Sequence, residues 1–303
     1  MNPNLDAFRQ DMCLRGFAKS TVTRNISNVR RYLLWAEERN LAPEQGYKED
    51  LLAYLADLRG RGLRQSSLTA TFVSLNAWFE YLVESNELPN SPIPAIQKRY
   101  LRNYKDEIQQ RQIISVEDAA KMVRATIDTR DRAILLLFLK TGIRRNELIT
   151  LDLESLDLQG MSLTLKPTPK RTNRMVFFDD ETRRALARWL KSREMRFKKG
   201  DQHALFISSM GTRLQASGVD FLVREAAMRI GLHDHESTRL EDKFTPHCCR
   251  HWNATHLLRG GMPREFVKWL RGDAMKEAID IYNHINPEDV RRSYLAHIPQ
   301  LGI

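Results

Sequence analysis

Two arginines, a histidine and a tyrosine in the C-terminal two-thirds of the chain have side chains suited to chemistry on a phosphodiester. Arg144 and Arg250 carry permanently charged guanidinium groups, which can grip a phosphate through paired hydrogen bonds. His247 titrates near neutral pH and can act as a general base or hydrogen-bond the phosphate. The phenol of Tyr282 can attack phosphorus and retain the bond energy in a covalent intermediate. Such a set requires no metal ion, because the arginines neutralise the charge that develops on the phosphate oxygens, and no ATP, because the covalent intermediate retains the bond energy.

These residue types alone are weak evidence, so their order and spacing must decide. A His-x-x-Arg pair is expected about once by chance in this composition, and a second pair does occur at His256 and Arg259. We interpret Glu147, three residues after Arg144, as a structural partner that anchors an arginine or a nearby helix. The chain lacks the GxxxxGK[ST], GxGxxG, HExxH and GxSxG patterns. We therefore expect no cofactor and no metal ion.

The elements that must position these residues begin with a helical N-terminal region. Apolar residues recur every three or four positions along residues 22–36 and 68–82, which predicts two amphipathic helices that pack on each other. Residues 5–14 and 51–58 predict two shorter helices. Three serines stand where helix N-caps are favoured: Ser20, Ser66 and Ser115.

A cluster of prolines at positions 89, 92 and 94 interrupts the helical pattern, and a strongly charged segment follows it. We therefore predict a helical domain over residues 1–92, a linker over 93–113 and a second domain over 114–303. In the second domain, residues 161–165 and 174–178 predict a β-hairpin with a basic tip. The predicted fold class is mainly α, with one small β-sheet or hairpin in the second domain.

The composition indicates a globular protein that attracts polyanions. The 303 residues carry a formal charge of +10 and a pI near 9.6. Residues 1–100 hold 13 basic and 11 acidic side chains, so most of the excess of basic side chains lies beyond them.

The longest apolar run, Ala133–Leu139, is too short to cross a bilayer. We expect a cytoplasmic, nucleoid-associated protein with no membrane partner, because the N-terminus has no apolar signal core. Three cysteines, Cys13, Cys248 and Cys249, suit reduced thiols.

Several segments of the second domain, taken in order, resemble the tyrosine recombinase or phage integrase family. Residues 141–148 read TGIRRNEL, which is similar to the TGxRxxEL segment of the family. Residues 247–258 read HCCRHWNATHLL, which resembles the HxxRHxxATHLL stretch and selects His247 and Arg250 over the second His-x-x-Arg pair. Residues 281–284 read IYNH, like the IYxH motif of the family. The spacing from Arg250 to position 273 is that of Xer-type members.

The resemblance implies a role for each candidate site residue. Arg144 and Arg250 would clamp the phosphate, His247 would act as base or hydrogen-bond the phosphate, and Tyr282 would be the nucleophile. Lys170, on the predicted hairpin tip, resembles the lysine that protonates the departing 5′ oxygen, and Lys166 is the alternative. The N-terminal helices match the core-binding domain of the family in position and size, and the C-terminal domain matches its catalytic domain.

Asp273 departs from the family pattern, which has a histidine in LGH where this chain reads LRGD. An ionised aspartate only accepts hydrogen bonds and repels a phosphate. Asp273 therefore either orients another donor, for which Arg271, Arg250 and Lys276 are candidates, or makes the site slower than its relatives.

The resemblance implies a site-specific recombinase that cleaves and rejoins double-stranded DNA through a 3′-phosphotyrosyl intermediate. It would act as a homo-oligomer, a tetramer on two synapsed sites. A C-terminal helix over residues 287–303 would contact a neighbouring protomer, and the alternative is a terminal helix that packs in the core of its own chain. Two alternatives stay open: a DNA-binding protein of this fold with weakened catalysis, and an enzyme like a type IB topoisomerase.

Overall fold

The computed structural model describes residues 3–102, 111–168, 173, 175–197, 199–237, 239–273 and 285–303. Its contacts divide the chain into two compact units, Met1–Ile108 and Gln109–Ile303. Within the described residues, no helix is both long enough and apolar enough to span a membrane.

Unit 1 is a helical bundle. Its buried core confirms the two predicted apolar stripes, since Val29, Leu68, Phe72, Leu75 and Leu82 are all inaccessible or nearly so. Rings from three helices fill the centre of this core and contact one another, including Tyr32, Tyr54 and Trp78. The helices are α1 (Pro3–Leu14), α2 (Lys19–Glu37), α3 (Lys48–Gly60), α4 (Gln65–Glu84) and α5 (Ile93–Ile96), and a π-helical turn (Gln97–Leu101) follows α5.

The predicted linker, 93–113, begins with residues that pack on unit 1. Ile93 and Ile96 of α5 are fully buried, and Leu101 is nearly so, because their apolar side chains join the core of the bundle. Residues 103–110 lie outside the described residues, and 111–113 follow without regular structure. The domain limits at 92 and 113 stay predictions.

Unit 2 combines eight α-helices among its described residues with a three-stranded sheet. The helices are α6 (Val116–Arg124), α7 (Thr129–Thr141), α8 (Arg145–Ile149), α9 (Asp180–Arg196), α10 (Ala216–Met228), α11 (Pro246–Arg259), α12 (Arg264–Arg271) and α13 (Pro287–His297). The strands β1 (Leu156–Asp157), β2 (Ser162–Thr164) and β3 (Met175–Phe177) are antiparallel in that order, with Leu163 opposite Val176. β2 and β3 form the predicted hairpin, and residues 169–172 of its basic tip lie outside the described residues. The mainly α fold with one small sheet is confirmed.

Helix α7 forms the centre of unit 2. The whole apolar run Ala133–Leu139 is buried on every side, because α7 packs against both α9 and α11. The next residue, Lys140, is completely buried, and its Nζ lies 2.5 Å from Asp179, 2.7 Å from Glu181 and 2.6 Å from the Pro299 carbonyl oxygen. One buried cation thus joins the end of α7, the start of α9 and the C-terminal segment.

The C-terminal residues pack on their own unit. Val290 and Tyr294 of α13 are buried in a cluster with residues of α11 and α12, and the Tyr294 hydroxyl donates to the Lys140 carbonyl oxygen. After α13, the backbone N–H groups of residues 301–303 donate to the Glu181 carboxylate. Contact of this segment with a neighbouring protomer stays a prediction.

Candidate active site

A tight turn after α7 presents Arg144. Gly142 ends the helix with φ of +61°, a left-handed conformation that glycine adopts without strain. Arg144 then precedes α8, where its backbone N–H donates to Glu147 at 2.7 Å and its Nη1 donates to the same carboxylate at 3.0 Å. Because both bonds end on one carboxylate, Glu147 holds Arg144 at its backbone and at its side chain. Glu147 itself is buried, with 4% of its surface exposed. This arrangement is the one expected of Glu147 as a structural partner.

Helix α11 presents His247 and Arg250. It begins after Thr245, with Pro246 in the first turn, where a missing N–H costs nothing. Arg250 is 4% exposed, and its guanidinium donates to the carbonyl oxygens of Gly142 at 2.7 Å and of Arg271 at 2.9 Å. These two bonds connect α11 to the turn that carries Arg144 and to the end of α12.

Asp273 lies where the guanidinium groups of three arginines converge. Its Oδ2 accepts from Arg271 Nε at 2.6 Å. Its Oδ1 lies 3.4 Å from Arg250 Nη2 and 3.8 Å from Arg144 Nη2. The structure therefore brings three of the predicted site residues, Arg144, Arg250 and Asp273, to one place. Among the donors considered for Asp273 from sequence, Arg271 and Arg250 contact it, and Lys276 lies outside the described residues.

His247 lies one turn before Arg250, in strongly positive surroundings. Partial removal from water, together with the charges of Arg111, Arg250 and Arg271 and the neighbouring His251, lowers the pKa of His247 to about 4. The rings of His247 and His251 are 4.7 Å apart and nearly perpendicular. At neutral pH the His247 ring is therefore neutral and retains one nitrogen that can accept a proton.

Arg111 is a residue of this site that sequence reasoning missed. Its Nη1 lies 3.4 Å from Thr245 Oγ1, at the start of α11, and its charge lowers the pKa of both His247 and His251. It belongs to no motif and stands within the predicted linker. Arg111 and Thr245 are 134 positions apart in the sequence, and no local sequence pattern predicts a contact between residues so far apart.

Two predicted site residues, Lys170 and Tyr282, lie outside the described residues, so their positions in the site stay predictions. Lys166, the alternative to Lys170, is described. Its Nζ forms an ion pair with Asp152 at 2.6 Å, which lowers the pKa of that carboxyl group. Arg213 contacts the same carboxylate.

His256, the histidine of the second His-x-x-Arg pair, makes structural contacts. His256 Nε2 lies 3.2 Å from the Ile114 carbonyl oxygen, and its ring packs on Trp252. It thereby connects the start of unit 2 to α11, and the choice of His247 for the site stays a prediction.

Comparison with known proteins decides the family. Residues 106–289, more than half of the chain, match the model of the phage integrase family. The chain belongs to this family. It is 30% identical to tyrosine recombinase XerC of Haemophilus influenzae over 244 residues. This aligned stretch covers 79% of this chain and 77% of that protein. It is 28% identical to XerC of Alcanivorax borkumensis over 86% of this chain and 89% of that protein.

Solved structures of integrases share the fold. The Tn1549 transposon integrase in complex with circular intermediate DNA has a TM-score of 0.68 and 19% identity, with coverage of 95% of this chain and 98% of that one. A lambda integrase dimer bound to a core site has a TM-score of 0.67 and 17% identity, with coverage of 94% and 98%. The phage integrase family member described here is thus a tyrosine-type recombinase, an enzyme that transfers DNA strands, as the motifs predicted.

Proposed function

We propose that this recombinase cleaves and rejoins double-stranded DNA at specific sites through a 3′-phosphotyrosyl intermediate on Tyr282. In the cleavage step, Tyr282 Oη bonds to phosphorus as the bond from phosphorus to the 5′ oxygen breaks. Lys170 supplies the proton that the departing 5′ oxygen takes up. The free 5′ hydroxyl of a second strand then reverses the step, so that each phosphodiester broken is replaced by one formed.

The convergence of Arg144 and Arg250 carries this proposal. Their Nη2 atoms lie 3.8 and 3.4 Å from a single carboxylate oxygen, so both guanidinium groups can bind one anionic oxygen at the same time. Negative charge grows on the nonbridging oxygens during attack on phosphorus. Two fixed cations at that point stabilise the transition state, and loss of one such group in an enzyme typically costs about 10²–10³ in rate.

The surroundings of His247 lower its pKa below the near-neutral value expected from sequence, which makes the ring a weak base before DNA binds. Its lowered pKa, about 4, leaves the ring neutral at the pH of a cell. A neutral imidazole can accept the phenolic proton of a tyrosine, whereas an imidazolium cannot. Phosphate binding nearby adds negative charge, which favours the protonated ring after transfer.

The partner we propose is double-stranded DNA, bound by a homotetramer that joins two sites. The lambda integrase structure contains a dimer bound to a core site, and the Tn1549 integrase structure contains circular intermediate DNA. The excess of basic side chains beyond residue 100 favours a phosphate-rich partner. Exchange of α13 between protomers would link the tetramer. We place the protein in the cytoplasm, with the nucleoid.

A covalent-adduct assay tests the proposal. Binding sites are selected from random duplexes with the purified chain, and nicks are placed at successive positions of the selected site so that, after cleavage, the short fragment with the free 5′ hydroxyl diffuses away. A protein–DNA adduct is expected on a denaturing gel, and Tyr282→Phe should abolish it.

Two further variants test the arginine clamp, which is the pair formed by Arg144 and Arg250. Arg144→Lys is expected to slow adduct formation by about 10²-fold or more, because lysine cannot replace the planar guanidinium. Arg145→Lys is the matched control, since that neighbouring side chain pairs with Asp220 instead and should change the rate little. An adduct that survives Tyr282→Phe, or equal effects of the two lysine variants, would contradict the proposal. Plasmid relaxation without recombinant products would indicate a topoisomerase.

A further inference from the structure

Asp273 places a negative charge at the point where the proposed function requires a phosphate. Its Oδ1 is the oxygen towards which Arg144 Nη2 and Arg250 Nη2 both point, at 3.8 and 3.4 Å. A phosphate oxygen and this carboxylate oxygen cannot occupy the same position, and their like charges repel. The family resemblance places a hydrogen-bond donor here, whereas an ionised aspartate only accepts hydrogen bonds.

The contacts of Asp273 are unequal. The bond from Arg271 Nε to Oδ2 is 2.6 Å, a short charge-assisted hydrogen bond. The ion pairs of Oδ1 with Arg250 and Arg144 are about an ångström longer. The carboxylate is thus held firmly through one oxygen by a residue outside the proposed clamp, and loosely through the other by the clamp itself.

Arg250 needs a nearby anion when DNA is absent. It is 4% exposed, and a buried guanidinium is costly unless its charge is compensated. The carbonyl oxygens of Gly142 and Arg271 orient it but carry no net charge. Asp273 supplies a full negative charge to Arg250 and, at the same time, to the half-buried Arg144.

We propose that Asp273 is an internal counter-anion of the arginine clamp, which an incoming phosphate must displace from Arg144 and Arg250. This inference rests on the proposed function, because it takes these two arginines as the phosphate clamp. Asp273 is a positioning residue that acts through the arginines. Before DNA binds, it holds their guanidinium groups together on one point. When phosphate arrives, Oδ1 gives up its two long ion pairs while Arg271 retains Oδ2.

A counter-anion has an effect opposite to that of a residue that only supports the fold. Removal of its charge frees the two arginines and should strengthen the binding of an anion. Removal of a merely structural residue would loosen the site and weaken that binding. The sign of the change in phosphate affinity therefore separates the two roles.

The experiment measures the affinity of the full chain for inorganic phosphate by ³¹P NMR titration and by the rise in Tm with phosphate concentration. Asp273→Asn and Asp273→Ala are each expected to lower the Kd for phosphate about tenfold or more, because a like charge beside the bound anion is removed. Asp220→Asn is the matched control. Asp220 has nearly the same exposure as Asp273 and pairs with Arg145, so its removal adds the same net charge outside the clamp.

The clamp itself is tested in the double variant Asp273→Asn, Arg144→Gln. This variant should lose most of the increase in phosphate affinity that Asp273→Asn alone produces. Unchanged or weaker phosphate binding in Asp273→Asn, or an equal gain in Asp220→Asn, would overturn the inference. If Asp273→Ala does not fold, Asp273→Asn decides alone, because it keeps an oxygen acceptor for Arg271. Failure of the proposed function shows separately, as the absence of a Tyr282-dependent DNA adduct in the wild-type chain.

Discussion

Replacement of Lys140 by methionine should destabilise unit 2 strongly. Lys140 is completely inaccessible, and its partners Asp179 and Glu181 have side chains that are only 4% and 5% exposed. Methionine fills a similar volume but leaves two carboxylates buried without their cation. Removal of one partner from a buried ion pair typically costs about 3–5 kcal/mol. With an m-value of about 2 kcal/mol/M in urea, a loss of about 4 kcal/mol lowers the unfolding midpoint by about 2 M.

The assay must report unit 2 alone, because the substitution lies in unit 2 and unit 1 has a hydrophobic core of its own. Hydrogen–deuterium exchange of peptides from α7, measured by mass spectrometry across a urea series, gives the opening free energy of that helix. Peptides from α4 in unit 1 serve as an internal reference and should not change. Lys121→Met is the matched control, since Lys121 pairs with Glu117 and Asp118 at the surface and should have little effect.

The pH dependence of this loss gives a second check. In the wild type, burial opposes ionisation of Glu181, but Lys140 and the N–H groups of the C-terminal residues outweigh it, so the pKa of Glu181 lies below its ordinary value. Wild-type stability from this group is therefore lost as the pH falls through its lowered pKa. In Lys140→Met the buried carboxylates instead gain stability when they take up a proton. The difference in unfolding free energy between the wild type and Lys140→Met should therefore become smaller as the pH falls. A loss of stability in Lys140→Met no larger than that in Lys121→Met, or a difference that grows at low pH, would refute the reasoning.

Two further predictions concern the turn and the histidine of the site. Gly142→Ala should cost about 2–4 kcal/mol in the same exchange assay, because its Cβ would lie 2.8 Å from an amide oxygen and its φ is +61°. Gly231→Ala has a similar φ of +73° but open space around it, so it should cost only about 1 kcal/mol, and equal losses would contradict the steric argument. Arg111→Ala should raise the pKa of His247 from about 4, since removal of a nearby cation favours the protonated ring. NMR titration of the ring protons measures this rise, and an equal rise at His233, whose pKa is lowered by other groups, would contradict it.

Local sequence patterns predicted much of the fold. The apolar stripes of α2 and α4 required no knowledge of their neighbours, because the period of a helix alone aligns them. The strands predicted at 161–165 and 174–178 appear as the slightly shorter β2 and β3. Strand β1 has only two residues, which is too short to show an alternating pattern.

Helix starts were predicted less well. Ser115 caps α6 by accepting from the Asp118 N–H, as its position indicated. The predictions for Ser20 and Ser66 were wrong, because α2 and α4 begin at Lys19 and Gln65 and each serine already lies in the first turn. Neither helix has a side-chain cap at its start, so packing of the long apolar faces determines where the helix begins.

In the candidate site, too, sequence patterns predicted some features and not others. Arg144, His247 and Arg250 belong to motifs that sequence order could select. The contacts that orient them could not be read in that way, because each joins distant parts of the chain. Arg250 contacts the carbonyl oxygen of a residue 108 positions earlier, and Arg111 contacts a residue 134 positions later.

The two carbonyl bonds of Arg250 have a consequence for synthesis of the protein. One acceptor, Gly142, is translated well before Arg250, and the other, Arg271, well after it. A ribosome-bound chain that ends before residue 271 lacks one of the two bonds that fix this guanidinium. The orientation of Arg250 is therefore complete only once α12 has been synthesised to its last residue.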